Sequence, residues 1–140
     1  MAFEVIKQIA QDLRAIDLVQ VSLDAMQKNE SVLISFNQAQ LQNSIDREGE
    51  ALGEYASIEY ANKKGRIDVD LRLKGGFYGG MFVNAEKYPV VFDSSDSKTL
   101  DLKLKYGEEI FGTTPGNTKK VAFEIVLPEC QGRILKAFQL

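Results

Sequence analysis

The sequence predicts an α+β fold with N-terminal helices, a small central antiparallel β region and C-terminal helices. Two helix-type stripes, one before residue 45 and one after residue 114, flank a central run that alternates residue by residue from Arg66 to Lys74. Glycine-bounded segments follow that run, which places the strands together in the middle of the chain.

From Phe3 to Arg14 the apolar residues Val5, Ile6, Ile9, Ala10 and Leu13 recur at three- and four-residue steps. Ile16, Val19, Leu23 and Met26 continue the stripe, so a helix is expected through about Gln27, interrupted near Asp17. Asn29 and Ser31 offer caps for the next segment, in which Leu33, Phe36 or Asn37, Gln40 and Leu41 share a face. Val32, Ile34 and Phe36 also alternate as in a strand; helix is preferred because NQAQLQ is rich in helix formers and poor in β-branched residues. The helical part is thus placed at residues 1–45.

Residues 46–65 read as a loop: Asp46-Arg-Glu-Gly49 is turn-forming, and EYASIEYANKKG allows one short helical turn. The β region is placed at 66–95. In its first strand Ile67, Val69, Leu71 and Leu73 take one face and charged residues the other. Gly75 and Gly76 end it, Phe77 to Val83 forms a second extended segment, and Tyr88 to Phe92 a third, with Asn84–Lys87 short enough for a hairpin. Pro89 marks a strand start or an edge. Residues 97–140 read as mixed to helical. Thr99–Tyr106 fits either a strand of alternating leucines or a helix stopped by Gly107. Thr114-Pro115 starts a helix, and Pro128 is expected to break or kink it.

One domain of 140 residues is the economical count, since no repeat or linker divides the chain, which is 44% hydrophobic and 26% charged. The absence of histidine excludes histidine triads and histidine-ligated zinc sites. A single cysteine, Cys130, cannot form an internal disulfide and is expected as a small buried hydrophobe. The amphipathic start points to neither a signal peptide nor a membrane span. Net charge is −3, too small to steer the molecule to nucleic acid or membrane, yet residues 1–60 carry −6 and residues 61–140 carry +3.

No catalytic constellation, cofactor site or metal site emerges. Gly75-Gly-Phe-Tyr-Gly-Gly80 lacks the lysine and hydroxyl of a phosphate loop, so its glycines are read as bending a strand or letting two backbones meet. Asp68 with Asp70, Asp93 with Asp96, and Asp46-Arg-Glu48-Gly-Glu50 lack the spacing of a cation loop. Asp93-Ser-Ser-Asp96 is more simply a turn. The aromatics Phe77, Tyr78 and Phe82 have only Arg72 and Lys74 close by, too little charge for a single-strand nucleic-acid platform.

The order of several motifs carries a resemblance. Asn37-Gln-Ala-Gln-Leu41, Asp46-Arg-Glu-Gly49, Leu52-Gly-Glu-Tyr55, Tyr60-Ala-Asn-Lys-Lys64, Val69-Asp-Leu-Arg-Leu-Lys-Gly75-Gly-Phe77 and Tyr106-Gly-Glu-Glu-Ile-Phe-Gly112-Thr-Thr-Pro115 follow one another over about residues 33–120. This series resembles small virion proteins of phages of Bacteroides-type hosts and, more distantly, the tail-completion and virion-morphogenesis families of tailed phages. Lys74 stands where the distant families have a threonine, and Ser44 where the nearer group tends to have a glycine. The resemblance implies a non-enzymatic head-tail joining, neck or tail-completion protein that assembles in a ring, contacts other virion proteins and takes no cofactor. It implies a place in the virion after assembly in the host cytoplasm. Phe77, Tyr78, Met81 and Phe82, with Tyr106, Ile110 and Phe111, are the residues expected at interfaces, each equally well explained as core. A small protein-binding module of the cytoplasm is the alternative.

Overall fold

The computed structural model describes residues 2–72 and 75–139. It has the expected α+β architecture, with helices on both sides of a two-stranded antiparallel sheet. Helix α1 spans Ala2–Arg14 and α2 spans Leu18–Lys28. The interruption falls at Asp17, whose carboxylate caps α2 by accepting from the Gln20 N–H at 3.0 Å. Helix α3, Glu30–Gln42, follows after Asn29 alone and resolves the 32–36 segment as helix. Its buried residues, Leu33, Asn37, Gln40 and Leu41, form one face at three- and four-residue steps.

The polar stretch after α3 is a turn in which the Asp46 carboxylate accepts from the N–H groups of Glu48 and Glu50. Helix α4, Ile58–Lys64, is capped by Ser57 and closed by Gly65, whose φ of 75° is the left-handed conformation that favours glycine.

The run after Arg66 is the main correction. Its described residues, 66–72, are not a strand: among them only Asp68 pairs, in an isolated bridge to Glu54, and Val69, Asp70 and Leu71 are all buried while Ile67 is 62% exposed. Leu71 has a φ of 59°, which breaks the alternation between faces. The turn is held because the Asp70 side chain is drawn inward by hydrogen bonds, whereas a regular strand would leave it on the solvent face. Leu73 and Lys74 of the predicted strand lie outside the described residues.

The predicted 77–83 strand is also shortened. Gly76–Gly79 forms a single helical turn, α5, that buries Phe77 and Tyr78 together, which an extended chain could not do with consecutive side chains. The sheet is then a hairpin of β1, Met81–Asn84, and β2, Val91–Ser94, with Val83 opposite Phe92. Gly80 does let two backbones meet: a Cβ there would lie 2.9 Å from the Ser94 Oγ and 3.0 Å from the Asp96 N–H nitrogen.

Residues 99–106 are helix α6, Thr99–Tyr106, ended by Gly107 before a 3-10 turn at Glu108–Ile110. Thr114 caps α7, Pro115–Lys120, with Pro115 in its first turn as expected. Pro128 does not break the helix. A π-helical segment, Val121–Val126, runs directly into α8, Leu127–Lys136, and its wider turns absorb the proline that lacks an N–H.

Two clusters form the core. One gathers Leu41, Val69, Leu71, Phe77, Leu102 and Ile110; the other gathers Leu23, Met26, Leu33, Val83, Ala85 and Val121. Ile34 and Phe92 pack against both.

Candidate interaction surfaces

The seven residues expected at interfaces divide sharply. Phe77, Tyr78, Met81, Ile110 and Phe111 are between 0% and 8% exposed and belong to the first core cluster. Burial in their own chain removes them from any surface, so their role is internal packing. Phe82 stays 40% exposed, on the outward face of β1, and Tyr106 is half-buried at the end of α6. Tyr106 lines a hollow of about 330 Å³ together with Tyr55, Tyr60 and Lys105. The structure does not bring Phe82 and the Tyr106 hollow into one site.

Asp70 organises the turn above this hollow. Its carboxylate accepts from the Tyr55 hydroxyl at 2.8 Å and from the Lys64 ammonium at 2.6 Å, with the Arg66 guanidinium 3.6 Å away. Tyr78 donates to its backbone carbonyl. Burial pushes the Asp70 carboxyl up, but the hydrogen bonds from Lys64, Tyr55 and the Arg72 N–H outweigh burial and hold it below its ordinary value of 3.8. Lys64 moves the other way: burial lowers it, and its bond to Asp70, helped by Tyr55, raises it overall. Burial and then the nearby Asp70 charge raise Tyr78. With every partner satisfied, the arrangement is a structural lock and not a poised acid or base. The expected placement of Asp68 and Asp70 on one exposed strand face does not occur, since Asp70 is 6% exposed and engaged internally.

A second polar device was invisible as chemistry. Asn37, fully buried on α3, donates to the Ile110 carbonyl at 2.8 Å and accepts from the Gly112 N–H at 3.0 Å. Gln40, one turn on, donates to the Gly112 carbonyl and accepts from the Thr114 N–H and the Asn117 side chain. Together they clamp the 110–117 segment to α3. The available signal was an amide at each of two positions of an otherwise apolar helix face.

A cleft of about 600 Å³ opens between this clamped segment, the start of the C-terminal helices and β2. Residues 88–93 form one wall; Leu33, Phe111, Thr118 and Val121 contribute to the others. Lys103 in the wall is paired with Asp93 at 3.1 Å, and Arg47 donates to the Phe111 carbonyl at 3.2 Å.

Both ends of the chain expose apolar side chains. The α1 stripe is partly covered at Ile9, Ala10 and Leu13 but open at Phe3 (78%) and Ile6 (61%). In the C-terminal helices Phe123 and Leu135 are exposed, as is Phe138 in the turn after α8, and Cys130 is half-buried, not fully buried as expected. Among the described residues no helix is long and apolar enough to cross a membrane. No family model matches the chain, and no curated protein or solved structure matches it either.

Proposed function

We propose that the chain is a structural protein of a tailed-phage virion: a head-tail joining, neck or tail-completion protein that self-assembles in a ring and contacts portal, neck or tail components. It is non-enzymatic, takes no cofactor, is assembled in the bacterial host cytoplasm and ends in the virion. The observation that carries this reading is the ordered motif series between Asn37 and Pro115.

The surfaces support it. A closed ring needs two unlike, complementary patches on each copy. The open half of the α1 stripe and the exposed apolar side chains of the C-terminal helices are two such patches on one chain. Little charge opposes their meeting: α1 is balanced, Glu4 and Asp12 against Lys7 and Arg14, and residues 115–138 hold Lys119, Lys120, Arg133 and Lys136 against Glu124 and Glu129. In such a ring the apolar α1 face of one copy meets the apolar side chains of the next copy's C-terminal helices.

A small non-enzymatic module binding one cytoplasmic partner is the second reading, favoured by the apolar cleft beside β2. Size-exclusion chromatography with light scattering, joined to mass spectrometry of purified virions, decides between them. A ring-sized oligomer found in virions is expected; a stable monomer absent from virions overturns the virion reading.

A further inference from the structure

We propose that the free edge of β2 is a strand-addition site, which takes one extended, uncharged segment of a partner protein as the third strand of the sheet. The argument begins from β1. The Val83 N–H donates to the Glu30 carboxylate at 2.8 Å, the Gln27 side chain donates to the Val83 carbonyl at 3.1 Å, and the Ala85 N–H donates back to Gln27 at 2.8 Å. The outer edge of β1 is thus closed by side chains of α2 and α3.

The same bonds fix the direction of the β2 backbone. In an antiparallel pair, opposed residues either exchange both backbone hydrogen bonds or direct both groups away from each other. Val83 turns its N–H and C=O toward Gln27 and Glu30, so the residue opposite it, Phe92, turns its own away from β1. The bond from the Ser95 N–H to the Gly80 carbonyl at 2.9 Å sets the same alternation at the other end of the hairpin. Among the described residues neither backbone group of Phe92 has a hydrogen-bond partner outside the hairpin. An unpaired edge of this kind is a template for another strand.

What lies beside the edge selects the occupant. The cleft of about 600 Å³ runs along residues 88–93 and is walled opposite by Leu33, Phe111 and Val121. A single extended chain adds to the edge without a further layer of its own, whereas the hairpin of a second copy would bring its own α2 and α3 with it. Of the charges in the walls, Lys103 is held by Asp93 and Arg47 by Glu48 and the Phe111 carbonyl, while Glu108 is exposed to water, where a new ion pair would gain little; a charged side chain entering the cleft would therefore find no buried counter-charge free. The segment that matches carries uncharged residues with an apolar side chain at every second position, directed at the apolar wall. The inference stands apart from the virion reading, since it concerns an edge that any partner with such a segment would use.

The test uses the full chain labelled for amide NMR and the blocked peptide acetyl-Thr-Val-Thr-Val-Thr-amide, with its leucine and phenylalanine counterparts. In the free protein the Phe92 amide is expected to exchange rapidly while those of Val91 and Asp93 are protected. Addition of at least one of the peptides is expected to give saturable shifts confined to residues 90–93 and 111–118, with at least a tenfold slowing of Phe92 exchange. A peptide N-methylated at its central amide is expected to bind at least tenfold more weakly, and Thr118→Trp, an exposed position lining the cleft, to weaken the parent peptide similarly while leaving the circular dichroism spectrum unchanged. Protection of Phe92 in the free monomer overturns the proposal, as does equal binding of the methylated peptide or the absence of any saturable shift. Protection that rises with protein concentration alone also overturns it, because the occupant is then a second copy.

Discussion

The region around α3 and the region of the terminal helices solve opposite problems. Around α3 polar groups are buried and every one of them named above is answered: Asn37 and Gln40 hold the 110–117 backbone, and Asp70 is held by Tyr55 and Lys64. In α1 and the C-terminal helices apolar groups are left in water, Phe3 at 78% and Phe123 at 66% exposure. The difference separates what specifies the fold from what is available to other molecules. A satisfied buried polar network discriminates among packings because any shift orphans a donor or acceptor, while an uncovered apolar stripe contributes little until something covers it.

The largest effect is expected at the clamp. Asn37→Ala strands the Ile110 carbonyl and the Gly112 N–H in the interior, and should cost about 3 kcal/mol in urea unfolding at neutral pH. Loss well below about 1 kcal/mol would mean that water or a backbone shift satisfies both groups.

Next comes Asp70→Asn, expected to cost about 2 kcal/mol at pH 7 because Lys64 is left with a neutral partner in a partly buried setting. The sign with pH follows from the direction of the shift. Asp70 is lowered in the folded protein, so its stabilisation is complete above the ordinary value of 3.8 and is lost as the pH falls through the lower folded value. The difference between wild type and variant should therefore shrink in acid below pH 3.8, measured by thermal unfolding across a pH series. A constant difference would locate the stabilisation in shape and not in charge.

Gln27→Ala uncovers the outer edge of β1 by removing its bonds to Val83 and Ala85 and should cost about 1 kcal/mol. Amide exchange at Ala85 should accelerate. Smallest is the paired substitution Phe3→Ser with Ile6→Ser, both on the open part of the α1 stripe, expected to change monomer stability by less than about 0.5 kcal/mol. In the same variant light scattering should register loss of self-association, and its persistence would remove α1 from the assembly interface.

Legibility in the sequence followed the same division. Where apolar periodicity was matched by local signals, as at the interruption near Asp17 and the helix start at Thr114-Pro115, the boundary was readable because the deciding interactions lie within a few residues, whereas α4, capped by Ser57 inside a stretch read as loop, was not. Of the Arg66–Lys74 run, whose alternation was the clearest in the chain, the described residues 66–72 do not form a strand. Its fate is decided by Tyr55, Lys64 and Tyr78 acting on Asp70, and periodicity within the run contains none of them. Phe77, Tyr78 and Met81, unlike Phe82, are lost as a surface for a related reason: alternation indicates which residues share a face, and not whether another element covers that face. The edge of β2 could not be read at all, since it depends on where Gln27 and Glu30 fall relative to a hairpin more than fifty residues away.

The α3 clamp also dictates an order of events during synthesis. Asn37 and Gln40 meet partners 72 to 77 positions further along the chain. Until the ribosome has delivered that distant segment, the helix bearing them has its two amides solvated and one wall of its core missing. The nascent chain therefore cannot reach its native packing progressively from the N-terminus; completion waits for a long loop to close, and the step that closes it comes late.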